Sequence, residues 1–279
     1  MVNLTHENSL LQEINNLSAS GKIGDSVALT ALTGQSSGSK LTAQAAESEI
    51  QKLIPTIRQR LSAAKFYLDA IENMNYAPYL ERRSSLSEDQ KPLIDFSDID
   101  LYVQINLLNP DAFPLVVFIL LNGFFSNLVS LEDCVAKIIS VLYDLPMDDK
   151  PGYIRKALNN KMPNGKLTLN LRAFHAIDQN EKLDPTGSPF NIASEIRHQL
   201  IHGDIAEIVF FPSWSLLGFP SDIDLYFNNS FFPDGTVPKY RDTEMIVFCE
   251  DVYKKTVDFV NECYKLICDD LQRNGAFPV

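Results

Sequence analysis

Between positions 45 and 75, Ile50, Leu53, Ile54, Ile57, Leu61, Ala64, Leu68 and Ile71 recur at steps of three and four. That spacing follows the turn of an α-helix and puts every one of these side chains on a single stripe. A stripe this long is not stable alone in water and demands other helices to cover it. Pro55 lies within it, where a missing amide proton can kink or divide a helix. Three more stretches read the same way. One spans about Asp111 to Tyr143 and is apolar nearly all round at first, which marks it as the central helix. Another spans about Asn191 to His202 and is stopped by Gly203. The last spans about Thr243 to Asn274, with Met245, Phe248, Val252, Phe259, Cys263 and Leu266 on one side and a polar gap at Lys255 and Thr256.

The segments between them are of other kinds. Residues 1–45 are rich in Ser, Thr, Asn, Gln and Gly and read as a polar, flexible N-terminal segment, with one short helix around Leu4, Leu10, Leu11, Ile14 and Leu17 suited to docking on a partner. Residues 46–279 then form one helical domain. Between about 206 and 235, Ile208–Phe211 and Ile223–Phe227 alternate and are bounded by Pro, Ser, Asp and Gly, the pattern of a small β insertion. The fold class expected is mainly α: a four-helix bundle with a β insertion between the third and fourth helices.

Composition narrows the setting. The chain carries 24 Lys+Arg against 36 Asp+Glu, a formal net charge of −12. A chain so acidic repels nucleic acid at long range, so any contact with RNA must come from a local basic patch. Such a patch exists: Lys150, Arg155, Lys156, Lys161, Lys166 and Arg172 fall between positions 150 and 175 without one Asp or Glu. Pro151, Gly152, Pro163 and Gly165 give this stretch the look of a loop, with His175 at its end as an ordinary surface residue. Arg58 and Arg60 on the first long helix read as solvated, or one of them faces a cleft. The most apolar run, residues 113–125, is interrupted by Pro114 and Asn122 and is too short to span a bilayer. No signal-peptide pattern opens the chain, and Cys134, Cys249, Cys263 and Cys268 make no CxxC. The expectation is a soluble cytoplasmic protein.

The segment with chemical content is Glu195-Ile196-Arg197-His198-Gln199-Leu200-Ile201-His202-Gly203-Asp204. Arginine stays charged and forks onto two phosphate oxygens, and histidine exchanges protons near neutral pH. Residues five apart lie about 140° apart round a helix, so Arg197 and His202 do not stack on one face. The motif of an arginine, a polar residue, a spacer and a histidine, near the end of the third long helix of four, resembles the HEPN superfamily over roughly residues 45–275. The residue after the arginine is most often asparagine in active members, and here it is His198.

The resemblance implies a metal-independent endoribonuclease, a toxin or antiviral-defence effector, that cuts RNA through the ribose 2′-OH. His202 would be the acid/base, Arg197 the phosphate ligand and His198 an assisting hydrogen bonder, with Asn191 or Glu195 orienting the site. It also implies a homodimer with a composite cleft, no cofactor, and an antitoxin or regulatory partner. A non-catalytic HEPN scaffold that holds a partner protein stays open. So does a lesser reading as a metal-binding bundle, because Glu195, His198 and His202 share one helix face and could recruit Glu47 or Asp133.

Overall fold

The computed structural model describes residues 4–19, 43–73, 113–143, 145, 151–178, 182, 184, 187–202, 208–214, 220–227 and 245–274, with backbone alone at 17–19, 43–47, 113–115, 199, 201–202, 274 and along both strands. The described chain is mainly helical. Its helices are α1 (Glu7–Ala19), α2 (Ala43–Glu72), α3 (Phe113–Leu142), α4 (Pro151–Lys161), α5 (Lys166–Phe174), α6 (Pro189–His202) and α7 (Met245–Asn274). Two extended segments between α6 and α7, Ile208–Trp214 and Pro220–Phe227, pair antiparallel with Ile208 opposite Phe227 and Phe211 opposite Asp224.

The apolar stripe of α2 is buried along its whole length, from Ile50 to Ile71. Pro55 sits inside α2 without ending it. The stripe meets α3, and this is the most extensive helix–helix contact among the described residues. α3 presents Val117, Leu121, Phe124, Phe125, Leu128 and Leu131 to the core. The two helices approach closely at Gly123, where a Cβ would fall 2.7 Å from the Tyr67 ring. α3 also touches α4, α6 and α7, which fits the central role its all-round apolarity predicts. The helix containing the apolar run 113–125 is longer than that run: Val116–Leu142 has the length and composition to cross a membrane, and 39% of its apolar window is buried within the protein. α7 buries Met245, Phe248, Val252, Phe259, Cys263 and Leu266 as its spacing predicts. The polar gap is half filled, because Thr256 is buried and donates its hydroxyl to the Val252 carbonyl at 2.8 Å.

Two expectations change. The first concerns the N-terminal segment. Residues 4–19 belong to the core: Leu4, Leu10 and Ile14 are buried, and α1 packs on α2 and α7. Its short helix therefore docks on the chain itself. Glu7, buried on α1, pairs with Arg58 of α2 at 3.3 Å, and Glu13 accepts from Gln272 of α7 at 2.9 Å. The linker-like residues 34–39 lie outside the described residues.

The second concerns residues 151–174, which are helical rather than a loop. Proline is tolerated in a first helical turn, and Pro151 opens α4 there. Gly165 caps α5 with extended backbone, so both residues punctuate helices instead of breaking them. α4 buries Ile154 and Leu158, and α5 buries Leu167, Thr168, Leu171 and Arg172. Lys161 donates to the Tyr143 carbonyl at 2.8 Å, and the Tyr143 hydroxyl donates to Asp270 at 2.7 Å. Together they tie the ends of α3 and α4 to α7.

α5 stops in a paired hydrogen-bond turn. The amide of Ala176 donates to the Ala173 carbonyl at 3.2 Å, and that of Ile177 to the Arg172 carbonyl at 2.8 Å. This is the Schellman arrangement, in which the residue after the cap is left-handed and usually glycine. Here it is Ala176, at φ 52°. Gly187 fits against it, since a Cβ there would come within 2.8 Å of the Ala176 Cβ. A left-handed alanine costs about 1–2 kcal/mol, partly offset by the narrower unfolded ensemble of alanine compared with glycine. Ala176→Gly is therefore expected to stabilise the protein by about 0.5–1 kcal/mol, a rise in Tm of about 2 °C. A thermal melt checks it, and a lower Tm would show that the turn is not strained at this residue.

Candidate functional site

α6 begins in good order for a short helix. Pro189 takes its first position, and the Ser188 hydroxyl accepts the Phe190 amide at 3.2 Å. Ile192, Ala193, Ile196 and Leu200 form its buried stripe. Arg197 flanks that stripe and is part exposed, while His198 is exposed. The helix ends at His202, whose side chain lies outside the described residues, as does Gly203.

α6 packs on α3 and α7, and the acids nearest it on α3, Glu132 and Asp133, stand side by side in one turn. Adjacent helical residues point about 100° apart, so the two carboxylates address different neighbours. Glu132 takes the α5–α6 turn: its Oε1 lies 2.9 Å from His175 Nε2. His175 is 5% exposed, so it is a buried residue and not the surface histidine its loop-like sequence suggests. Its Nδ1 lies 3.3 Å from Asn191 Oδ1. Asn191 in turn donates its amide to the carbonyls of His175 at 2.7 Å and Asp184 at 3.2 Å. With the amide nitrogen so engaged, Asn191 Oδ1 can only accept, which assigns a proton to His175 Nδ1. Asn191, proposed from sequence as an orienting residue, thus orients His175 and the approach to α6.

Asp133 takes the other side. It lies in the fields of Arg60 on α2, Lys137 on its own helix and Arg197 on α6. The sequence left Arg58 and Arg60 equivalent, and the structure separates them. Arg58 is spent on Glu7, whereas Arg60 lies toward α3, where its charge bears on Asp133 and Cys134. The Nε atoms of Arg60 and Arg197 are both buried without a hydrogen-bond partner. Among the described residues neither guanidinium is ion-paired with a carboxylate.

The basic stretch does not act as one patch. Lys156 and Lys166 are exposed and available to an anion. Lys161 is engaged at Tyr143. Arg172 is buried and donates to the Asp178 carbonyl, which takes it out of the expected RNA-binding set. Arg155 is part exposed and already has a partner. Lys150 lies outside the described residues. Among the described residues no group of three His, Cys, Asp or Glu side chains could hold a metal ion, and Asp133 faces arginines rather than Glu195. All four cysteines are free and buried. An open cavity of about 540 Å³, bounded by α5, the α5–α6 turn and α7, is lined by Phe174, Phe190 and Phe259 with Asn170, Lys255 and Asp258. It includes neither Arg197 nor Asp133.

Sequence reasoning found Arg197, placed Arg58 or Arg60 at a cleft and offered Asp133 only as a metal ligand, and missed Glu132 and His175 as its setting. The one available signal was a pair of adjacent acids in the most apolar helix of the chain. Comparison with family models, characterised proteins and solved structures finds no match to this chain.

Burial, and then Glu132 beside it, holds the Asp133 carboxyl above its ordinary value of 3.8, while Lys137, Arg60 and Arg197 pull it down without cancelling the rise. A raised folded pKa means that folding disfavours the ionised form. That cost is fully present above the folded pKa and vanishes below 3.8. Asp133→Asn is therefore expected to raise Tm at neutral pH, with the gain disappearing as pH falls to 3.8. Melts of the two proteins across pH check this. Asp133 is exposed, so the desolvation is partial, and a variant less stable than the parent at neutral pH would show that the arginines more than repay it.

Proposed function

We propose that this protein is a HEPN-type, metal-independent endoribonuclease of the toxin or defence kind, acting as a homodimer in the cytoplasm. The single observation that carries this reading is the state of Arg197. It sits near the end of α6, in Arg197-His198-Gln199-Leu200-Ile201-His202, with a buried Nε that finds no acceptor among the described residues. An arginine kept for structure alone normally finds a carboxylate or carbonyl, as Arg58 and Arg172 do. The order of the long helices and the paired segments between α6 and α7, taken as a small β insertion, support the same family reading.

In this mechanism the ribose 2′-OH attacks the adjacent phosphorus. His202 takes the hydroxyl proton as the new P–O bond forms. Arg197 neutralises the charge that builds on the non-bridging oxygens, a charge-assisted fork worth most where water is excluded. The P–O5′ bond breaks, and the leaving oxygen takes a proton from the second motif of the dimer. The products are a 2′,3′-cyclic phosphate and a 5′-hydroxyl, with no water consumed. His198, exposed beside Arg197, supplies a further hydrogen bond to the chain. A restraining partner keeps this activity off until it is needed.

Purified protein incubated with total RNA tests the reading. Cleavage is expected to persist in EDTA and to leave cyclic phosphate ends. His202→Ala should lower the rate by about 10²- to 10⁴-fold, the usual share of a general acid/base, with the fold unchanged by circular dichroism. Arg197→Ala should lose at least as much. Intact RNA under every condition, from a folded protein, would favour the scaffold reading. Loss of cleavage in EDTA with stoichiometric metal in the protein would favour the metal site.

A further inference from the structure

The cavity beside the α5–α6 turn has no part in the ribonuclease reading. Phe174 of α5 stacks on Phe259 of α7, with ring centroids 3.8 Å apart and planes 9° apart. One turn away, Asn170 of α5 donates its side-chain amide to Cys263 Sγ of α7 at 3.4 Å. The two helices therefore run past each other in opposite directions. Phe190, in the first turn of α6, adds a third ring 4.7 Å from Phe174. Phe190 and Phe259 are buried, whereas Phe174 stays half-buried at the cavity wall. At about 540 Å³ the space has the size that holds a small organic molecule.

The crossing also decides which polar groups face the cavity. Asp258 and Glu262 each precede one of the α7 contact residues, Phe259 and Cys263. They stand four apart, so they share one edge of α7, and both line the cavity. Lys255 lies on the same edge one turn earlier, and its ammonium is held by Asp251 at 2.8 Å. Glu262 lies 3.2 Å from Lys265, in a pair open to solvent on both sides. Asp258 is exposed, and no ion pair engages it among the described residues. Asn170 has given its amide nitrogen to Cys263 and keeps Oδ1 as an acceptor. The wall thus offers acceptors from Asp258, Glu262 and Asn170 against one ammonium that is already paired. The start of α6 adds only about half a positive charge, less than the unpaired carboxylate.

An anion entering here meets two carboxylates. An uncharged apolar molecule strips water from them without replacing its hydrogen bonds. An ammonium group on an apolar body meets both demands. Its N–H donors answer the acceptors, and the body covers Ala173, Phe174 and Pro189. We propose that this cavity binds a small organic cation, a primary amine carried on an aromatic or similarly apolar body. The ammonium lies between Asp258 and Asn170, and the body packs on Phe174 beside the start of α6. His202 closes α6 about three turns beyond Phe190, so the site stands whether or not the motif cuts RNA.

An NMR titration of the isotope-labelled full chain tests the proposal, with phenethylamine as the probe. Phenethyl alcohol, hydrocinnamate and methylamine are the comparisons: they remove the charge, reverse it and remove the ring. The amide signals of Ala173, Gly187 and Phe190 should follow phenethylamine along one saturation curve. Each comparison compound should bind at least about fivefold more weakly. Asp258→Asn should weaken phenethylamine by about three- to fivefold, as a part-exposed charge pair does, and Lys255→Gln should tighten it. Both substitutions fall on exposed side chains, and circular dichroism should show the fold unchanged. Hydrocinnamate or phenethyl alcohol binding as tightly as phenethylamine overturns the proposal. So does an Asp258→Asn protein that binds like the parent, and so do signals that stay still with phenethylamine. Equal shifts with methylamine would reduce the effect to surface charge and overturn it as well.

Discussion

Two adjacent carboxylates on the most apolar helix set the terms for much of this structure. α3 is surrounded by α2, α4, α6 and α7, and almost everything it shows them is hydrocarbon. Glu132 and Asp133 interrupt that surface. Glu132 is part buried and Asp133 lies exposed at the edge of that surface, and each faces a different neighbour. Glu132 draws in His175 and with it the turn that ends α5 and begins α6. Asp133 draws in arginines from α2 and α6. The hydrocarbon packing holds the helices together, but it would tolerate some rotation of α6. The His175–Glu132–Asn191 network removes that freedom and so fixes where Arg197 points.

The two acids are not in equivalent states. Glu132 has a directed partner whose other nitrogen is itself fixed by Asn191. Asp133 has only the field of cations that do not close onto it. A seam built for stability alone would let Arg60 or Arg197 form a fork with Asp133. Perturbed groups of this kind gather where binding or chemistry occurs. This is the physical ground on which the family resemblance is proposed as a function.

The long helices were legible in the sequence because their apolar residues keep a 3.6-residue period over many turns. Every stripe residue named for α2 is buried. α1 was harder to read as part of the core, because Leu4, Leu10 and Ile14 are few and their partners lie on α2 and α7, far along the chain. α4 and α5 were hidden by their own punctuation. Proline and glycine suggest loops, yet Pro151 sits where a helix has no use for an amide proton, and Gly165 is a cap. His175 was misread because no local pattern records that Glu132 comes to meet it. Arg197 was found by motif, but its relation to Arg60 depends on three helices meeting, and no spacing along one segment encodes that.

In the proposed ribonuclease, Arg197 receives the RNA backbone. A crystal structure with a bound oligonucleotide that cannot be cut tests it most directly. One phosphate should lie within hydrogen-bond reach of Arg197, with His202 over the neighbouring sugar. Nucleic acid lying instead along Lys156 and Lys166, with Arg197 closed onto Asp133, would contradict the claim.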